Sequence, residues 1–145
     1  MTTFTELMAQ KNKPAPVTSN SLDEQFWAYC ADGQLCFQRC NSCDNWRHLP
    51  RHMCAHCGSP DWRWEESSGL GFLYSWTVAH LPMHPAFAKD VPYAVAIVEM
   101  NEGVRMVARL RDIEFENLVL GIELQLSFDD VTSEPLLPYF KPRLA

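Results

Sequence analysis

Residues 40–58 read Cys-Asn-Ser-Cys-Asp-Asn-Trp-Arg-His-Leu-Pro-Arg-His-Met-Cys-Ala-His-Cys-Gly. Two CxxC pairs, Cys40/Cys43 and Cys54/Cys57, stand ten residues apart. A CxxC turn aims two thiolates at one point, and two such turns complete a tetrahedral four-sulfur site with metal–sulfur bonds of about 2.3 Å. Structural zinc, one ion per chain, is the expected occupant; iron, redox disulfides and bare thiols are the alternatives. With four thiolates in place no position is open to water, which argues against a catalytic metal. A unit this small buries little apolar surface, so metal binding would supply much of its folding free energy.

The flanking residues have their own chemistry. His48, His52 and His56 sit beside the knuckles, where a hydrogen bond to a ligand sulfur is their expected special task. Cys30 and Cys36 lie outside the pattern and read as ordinary buried thiols. Between Gln38 and Trp64, four arginines (Arg39, Arg47, Arg51, Arg63) face two acids (Asp44, Asp61), a local +2 in a chain of net charge −6. Arginine forks grip phosphate bidentately and Trp46, Trp62 and Trp64 could stack on a base, so the patch suits a nucleic acid or a nucleotide-bearing cofactor such as coenzyme A, with Arg39, Arg47 and Arg51 the candidates for phosphate contact. Alternatively these arginines are solvated and offset the charge of the tetrathiolate.

Working outward, residues 1–20 read as a flexible polar arm with Phe4, Leu7 and Met8 as its candidate anchor. Ser21-Leu22-Asp23-Glu24 has the form of a capping box and predicts a short helix within 21–34, with Leu22, Phe26, Trp27 and Tyr29 as its apolar stripe. Residues 35–66 form the cysteine unit, and residues 67–145 change to a period of two, with a C-terminal tail. There Leu70, Phe72, Tyr74, Trp76 and Val78 are expected to point into a core, and Tyr93 to Val98 to be buried on both faces. Asn101-Glu102-Gly103 reads as a hairpin turn. Val104, Met106, Ala108 and Leu110 then alternate with a largely cationic face, and Leu124, Leu126 and Phe128 with a polar one. The fold class is mostly β: four or five strands in about 75 residues fit a small closed or partly open barrel. Periodicity does not say which barrel.

Composition sets outer limits. The 145 residues are 47% hydrophobic and 21% charged, as in a globular chain. A net charge of −6 works against binding a long nucleic-acid backbone or an anionic bilayer. The apolar runs fall short of the roughly 20 residues that cross a membrane, and the opening segment lacks a secretory pattern, so a cytoplasmic protein is expected. His80, His84 and Asp90 lie on or beside a long loop over 81–92, yet no nucleophile stands in a recognisable elbow and no catalytic residue is assigned.

Several landmarks together carry a family resemblance: Phe26-Trp27, Leu35-x4-Cys40-x2-Cys43, Pro50-Arg51, Cys54-x2-Cys57-Gly58-Ser59, Ser68-Gly69-x-Gly71, Pro85-x-Phe87, Pro92-Tyr93, Val98-Glu99-x2-Glu102-Gly103-Val104 and Gly121-Ile122-x-Leu124. Over about residues 22 to 140 the chain resembles the zinc-ribbon/OB-fold acyl-CoA-associated family, long catalogued as a domain of unknown function. The resemblance implies an N-terminal helix, a rubredoxin-like zinc ribbon with Cys40, Cys43, Cys54 and Cys57 as ligands, and a C-terminal OB-fold barrel. It also implies a non-catalytic accessory subunit of a thiolase-like enzyme (a thiolase, lipid-transfer-type aldolase or acyltransferase) that forms a hetero-oligomer and helps hold or channel an acyl-CoA thioester. His80, His84 and Phe87, on the long loop, are then the candidates for partner or acyl contact. Asp44 stands where the family often has Gly, and Trp46-Arg47-His48 replaces a more aliphatic or aromatic step. The rival readings are a single-stranded nucleic-acid binder, with Phe72, Tyr74 and Trp76 as a stacking stripe, and an independent enzyme using the loop from His80 to Asp90.

Overall fold

Asn20 opens the helix in place of the expected Ser21 box, and α1 spans Ser21–Ala31. The structure, a computed structural model, describes residue 3, residues 13–16, residue 18, residues 20–129 and residues 136–144. Phe4, Leu7 and Met8 therefore lie outside the described residues. Asn20 Oδ1 accepts from the amides of Leu22 at 2.9 Å and Asp23 at 3.0 Å, while its own side-chain amide donates to Asp23 Oδ2 at 3.1 Å. Asparagine is as good an N-cap as serine, and the extended backbone at Asn20 satisfies two orphan amides at once, leaving Ser21 as the first helical residue. Leu22, Phe26 and Cys30 recur every four residues and are buried; Tyr29 packs against Trp64 with ring centroids 5.7 Å apart. A helix of 11 residues is marginal alone, and this one is held by docking.

Strands β1 (Cys36–Cys40), β2 (Trp46–Arg47) and β3 (Trp62–Glu66) make an antiparallel sheet in the order β2-β1-β3. Gln38, at its centre, is fully buried and ties the sheet to the following loop: its Oε1 accepts from Arg47 Nε at 2.8 Å and from the Arg51 amide at 2.7 Å. Phe37 is also fully buried. It belongs to one apolar cluster that runs from Phe26 and Cys30 through Leu35 to barrel residues such as Leu73, Val98 and Phe140. Ribbon, helix and barrel thus share a single core.

Strands β4 (Leu70–Ala79), β5 (Tyr93–Met100), β6 (Arg105–Leu110), β7 (Glu123–Asp129) and β8 (Leu137–Pro142) close into a barrel in the order β4-β5-β6-β8-β7. β7 pairs back onto β4, and β8 runs parallel to β6. This is a five-stranded OB barrel, and closure removes its exposed edges. Helix α1 packs on β1 and on β8, bridging ribbon and barrel.

Two expectations about the strands are corrected. Phe72 and Tyr74 do not point inward: they are 44% and 45% exposed, whereas Leu73 between them is buried. The pairing of β4 with β5 slips between Leu73 and Ser75, and such a bulge exchanges the faces of a strand, so Trp76 packs on the core while Phe72 and Tyr74 look out. Along β5 only Ala94, Ala96, Val98 and Met100 are buried; Tyr93, Val95, Ile97 and Glu99 are partly exposed. Apolar Val95 and Ile97 on the outer face hid this alternation. The inward set Val104, Met106, Ala108 and Leu110 is buried as expected, and the turn at Asn101 to Gly103 closes through Met100 N to Val104 O at 2.8 Å.

Two predictions follow from the packing. A Cβ at Gly71 would lie 2.5 Å from Glu99 O and 3.1 Å from Met100 Cα, both backbone atoms of the paired strand. Gly71→Ala should therefore destabilise the protein by about 1–3 kcal/mol in chemical denaturation; unchanged stability would contradict so close an approach of β4 to β5. His48 lies between Phe26 and Phe37, with ring centroids 5.3 and 5.1 Å away, and burial pushes its pKa down to about 4. The folded protein keeps His48 neutral while the unfolded chain protonates it near pH 6.5, so this stability is present above 6.5 and drains away as pH falls towards 4. Between pH 7 and 5 the loss is about 2 kcal/mol. Denaturation of the wild type should show this loss, and His48→Phe should lack it; parallel pH profiles would refute the assignment.

Candidate functional site

Two knuckles of the same build bring the cysteines together. In the first, the Asp44 amide donates to Cys40 O at 3.1 Å and the Cys40 amide to Asn45 O at 2.9 Å; in the second, the Gly58 amide donates to Cys54 O at 2.9 Å and the Cys54 amide to Ser59 O at 2.9 Å. The residue after each second cysteine must turn left-handed: Gly58 has φ 76° and Asp44 has φ 62°. Aspartate is among the few non-glycine residues that tolerate this region, so Asp44 serves where the resemblance anticipates glycine. The four Sγ atoms lie within 4.8 Å of one another, with Cys40–Cys57 and Cys43–Cys54 both at 3.6 Å. A zinc tetrathiolate with 2.3 Å bonds has edges of about 3.8 Å, so this donor set fits zinc in number, type and size. Cys40 and Cys54 are buried and Cys57 is exposed, which places the cluster at the surface end of the ribbon.

Backbone amides prepare two of the four sulfurs, those of Cys40 and Cys54. The amides of Cys57 and His56 hold the Cys54 thiol down at about 6, and those of Cys43 and Ser42 lower Cys40, Ser42 N lying 3.4 Å from Cys40 Sγ. Among the described residues the hydrogen bonds to sulfur from outside the cysteine set come from such amides rather than from the imidazoles of His48, His52 or His56: His48 has gone into the core, and His52 and His56 are exposed. Cys30 and Cys36 are buried, and burial pushes their thiols up to about 12 and 11, with charge on Cys36 and Glu66 respectively adding to it. They are unreactive core thiols.

The ribbon arginines are distributed over both sheet faces. Arg39 Nη1 donates to Glu65 at 3.0 Å, its Nε donates to Asp44 O at 3.1 Å, and its guanidinium stacks over Trp46 at 4.9 Å. Arg47 is on the other face, bound to Gln38 and, through Nη2, to Arg51 O at 2.9 Å. Arg51 is exposed and engaged through its main chain. The three do not converge on one point in this structure.

On the long loop, His84 Nδ1 accepts from the Ala86 amide at 3.1 Å and so caps the 3-10 turn Pro85–Phe87; His80 is exposed. Asp90 is engaged by Lys13 at 2.6 Å and by Arg109 at 3.6 Å. Phe87 lines a cavity of about 760 Å³ between α1, residues 13–16, residues 48–50 and the outer face of β6 and β8. That face carries Arg105, Arg109 and Arg111, each over a tyrosine: Tyr74 at 3.8 Å, Tyr93 at 4.7 Å and Tyr139 at 4.7 Å. The alternation along β6 marks the cationic face in the sequence; the tyrosine beneath each guanidinium comes from another strand and leaves no local signal.

Two family models match in tandem: the ChsH2 rubredoxin-like zinc ribbon domain over residues 27–63 and the ChsH2 C-terminal OB-fold domain over residues 64–129. A probable enoyl-CoA hydratase alpha subunit of Thermomonospora curvata is 41% identical over 142 residues, 95% of this chain and 43% of that protein, so the chain spans less than half the length of this relative. A DUF35 domain-containing scaffold protein of Methanocaldococcus jannaschii is 29% identical over 101 residues, 69% of this chain and 68% of that one. Among solved structures, a chain of the Ltp2-ChsH2(DUF35) aldolase superposes with a TM-score of 0.80 at 38% identity, covering 91% of this chain and 100% of that chain. A four-cysteine ribbon and an OB barrel, matched in that order and over the whole of a solved relative, mean that the chain belongs to the ChsH2-type DUF35 family.

Proposed function

We propose that this protein is a non-catalytic accessory subunit that binds a thiolase-like enzyme and helps hold its acyl-CoA substrate. The observation that carries this is the end-to-end likeness to the DUF35 chain of the Ltp2-ChsH2 aldolase, supported by a relative named as a scaffold protein and another named as a subunit of an enoyl-CoA hydratase. Cys40, Cys43, Cys54 and Cys57 would hold one structural zinc, a closed site that supplies rigidity and no chemistry. The partner supplies the reacting groups. In the loop after β4, Leu81 and Met83 are 72% and 89% exposed beside His80 and His84, an apolar display that fits a protein contact better than solvent. Arg51 is the ribbon arginine most open to a coenzyme phosphate, with Arg39 and Arg47 adding field from positions already engaged within the ribbon. Reduced thiols suit the cytoplasm, and no described helix is long and apolar enough to cross a membrane.

The nucleic-acid reading loses support from the β4 face. Arg105 already covers the Tyr74 ring, and Phe72 pairs across the sheet with Glu99, so the stripe is not an open stacking platform for a polyanion.

Co-expression of the full chain with the thiolase-like and aldolase-type enzymes of its own genome should give a stable hetero-oligomer with one of them, seen by co-purification and mass determination. Acyl-CoA turnover should require the partner, and Leu81→Asp with Met83→Asp should weaken the complex at least tenfold. Turnover by the isolated chain, or failure to associate with any such enzyme, would contradict the proposal.

A further inference from the structure

We infer that the cavity between α1 and the outer face of β6 and β8 is a binding site for an organic anion carried on an apolar body, complete within this chain. Its polar wall is made by Arg105, Arg109 and Arg111, which recur on the outward face of one strand line. Each guanidinium lies over a tyrosine ring, so the forks are held in place before a ligand arrives, and little side-chain freedom remains to be lost on binding.

Their hydrogen-bonding capacity is not used up. Arg109 Nε and Arg111 Nε are buried and have no hydrogen-bond partner among the described residues, a condition that folded proteins rarely leave unmet. Among the described residues the carboxylate within reach of Arg109 is Asp90, at 3.6 Å, and Lys13 takes the same carboxylate at 2.6 Å. Arg111 faces Asp129 at 2.6 Å, and Arg105 faces Glu99 at 3.4 Å. Arg109 is therefore the guanidinium with the weakest internal partner and the anchor for an incoming carboxylate or phosphate. Asp23 and Asp129 also line the cavity, which favours one compact anionic group at Arg109 over an extended polyanion.

The remaining wall is apolar. Phe26, Trp27, Leu49, Phe87, Val107 and Pro138 contribute to it, and Leu49 and Val107 stand 60% and 66% exposed. The volume of about 760 Å³ suits a medium-sized organic molecule. The anion has two chemical sources, the carboxylate of a free acid or the phosphates of a coenzyme thioester, and they are separable by experiment.

Calorimetric titration of the full chain with 4-phenylbutyrate, its neutral amide and coenzyme A provides the test. The acid or the coenzyme should bind, the acid at least tenfold more tightly than the amide if a carboxylate is the natural group. Arg109→Gln should weaken binding at least tenfold. Val107→Trp, which fills the cavity mouth without removing charge, should do the same while Arg143→Gln, at a residue outside the cavity lining that faces Glu123, leaves it unchanged. Binding of the acid alone assigns a carboxylate ligand, and binding of the coenzyme with the same variant pattern assigns a phosphate. Binding by neither, equal binding of acid and amide with no coenzyme binding, or an Arg143→Gln effect as large as that of Arg109→Gln would overturn the inference. Because no partner is needed, such a failure leaves the accessory role to be judged by co-purification.

Discussion

Four sulfur atoms borne on two short turns have to meet within a few ångströms, and the rest of the ribbon is arranged around that requirement. Cys40 ends β1, and its amide and carbonyl close the first knuckle; Cys54 does the same for the second. With both turns aimed at one point, the intervening residues 44–53 become a closed loop that delivers His48 into the core and brings Arg47 and the Arg51 amide onto Gln38 of β1. The sheet has only three strands, one of them two residues long, so it buries too little to hold itself. A divalent ion on the four thiolates would supply the missing constraint.

The consequence reaches beyond the ribbon because the core is continuous. Phe37 leaves the ribbon sheet, meets Phe26 of α1 across His48, and joins the cluster that fills the barrel up to Phe140 of β8. Loosening of the cysteine turns would therefore be felt by the helix and by the barrel face beneath it. The same junction leaves a cavity walled by all three parts, with the β6 arginines on one side and the helix aromatics on the other. The proposed accessory role would need this kind of rigidity: the surfaces must hold their relative positions when a second polypeptide is presented with them.

How much of this was legible in the sequence depends on how local each signal is. The cysteine spacing is local, and the structure brings together the four thiols it singled out. The hairpin at Asn101 to Gly103 and the inward face of β6 were equally readable, since turn residues and alternation lie side by side. The inward face assigned to β4 failed at a single inserted residue: a bulge between Leu73 and Ser75 swaps faces without altering the period on either side. β8 carried no strand signal, because Pro138 and Pro142 interrupt it; it pairs with β7 and, over two residues, with β6. His48 looked like a companion of the sulfurs because it is close to them in sequence, whereas its position is decided by Phe26 and Phe37, 22 and 11 residues upstream. The arginine and tyrosine pairs on the barrel likewise exist only after strands from distant segments are brought together.

The dependence of the whole arrangement on a metal-closed ribbon is tested most directly by native mass spectrometry of freshly purified, reduced protein, followed by chelation while thermal unfolding is recorded. One zinc per chain is predicted, and its removal should lower the unfolding temperature of the entire cooperative transition, with Cys54→Ser reproducing the loss. Metal-free protein that unfolds at the same temperature as the metal-treated sample would contradict it.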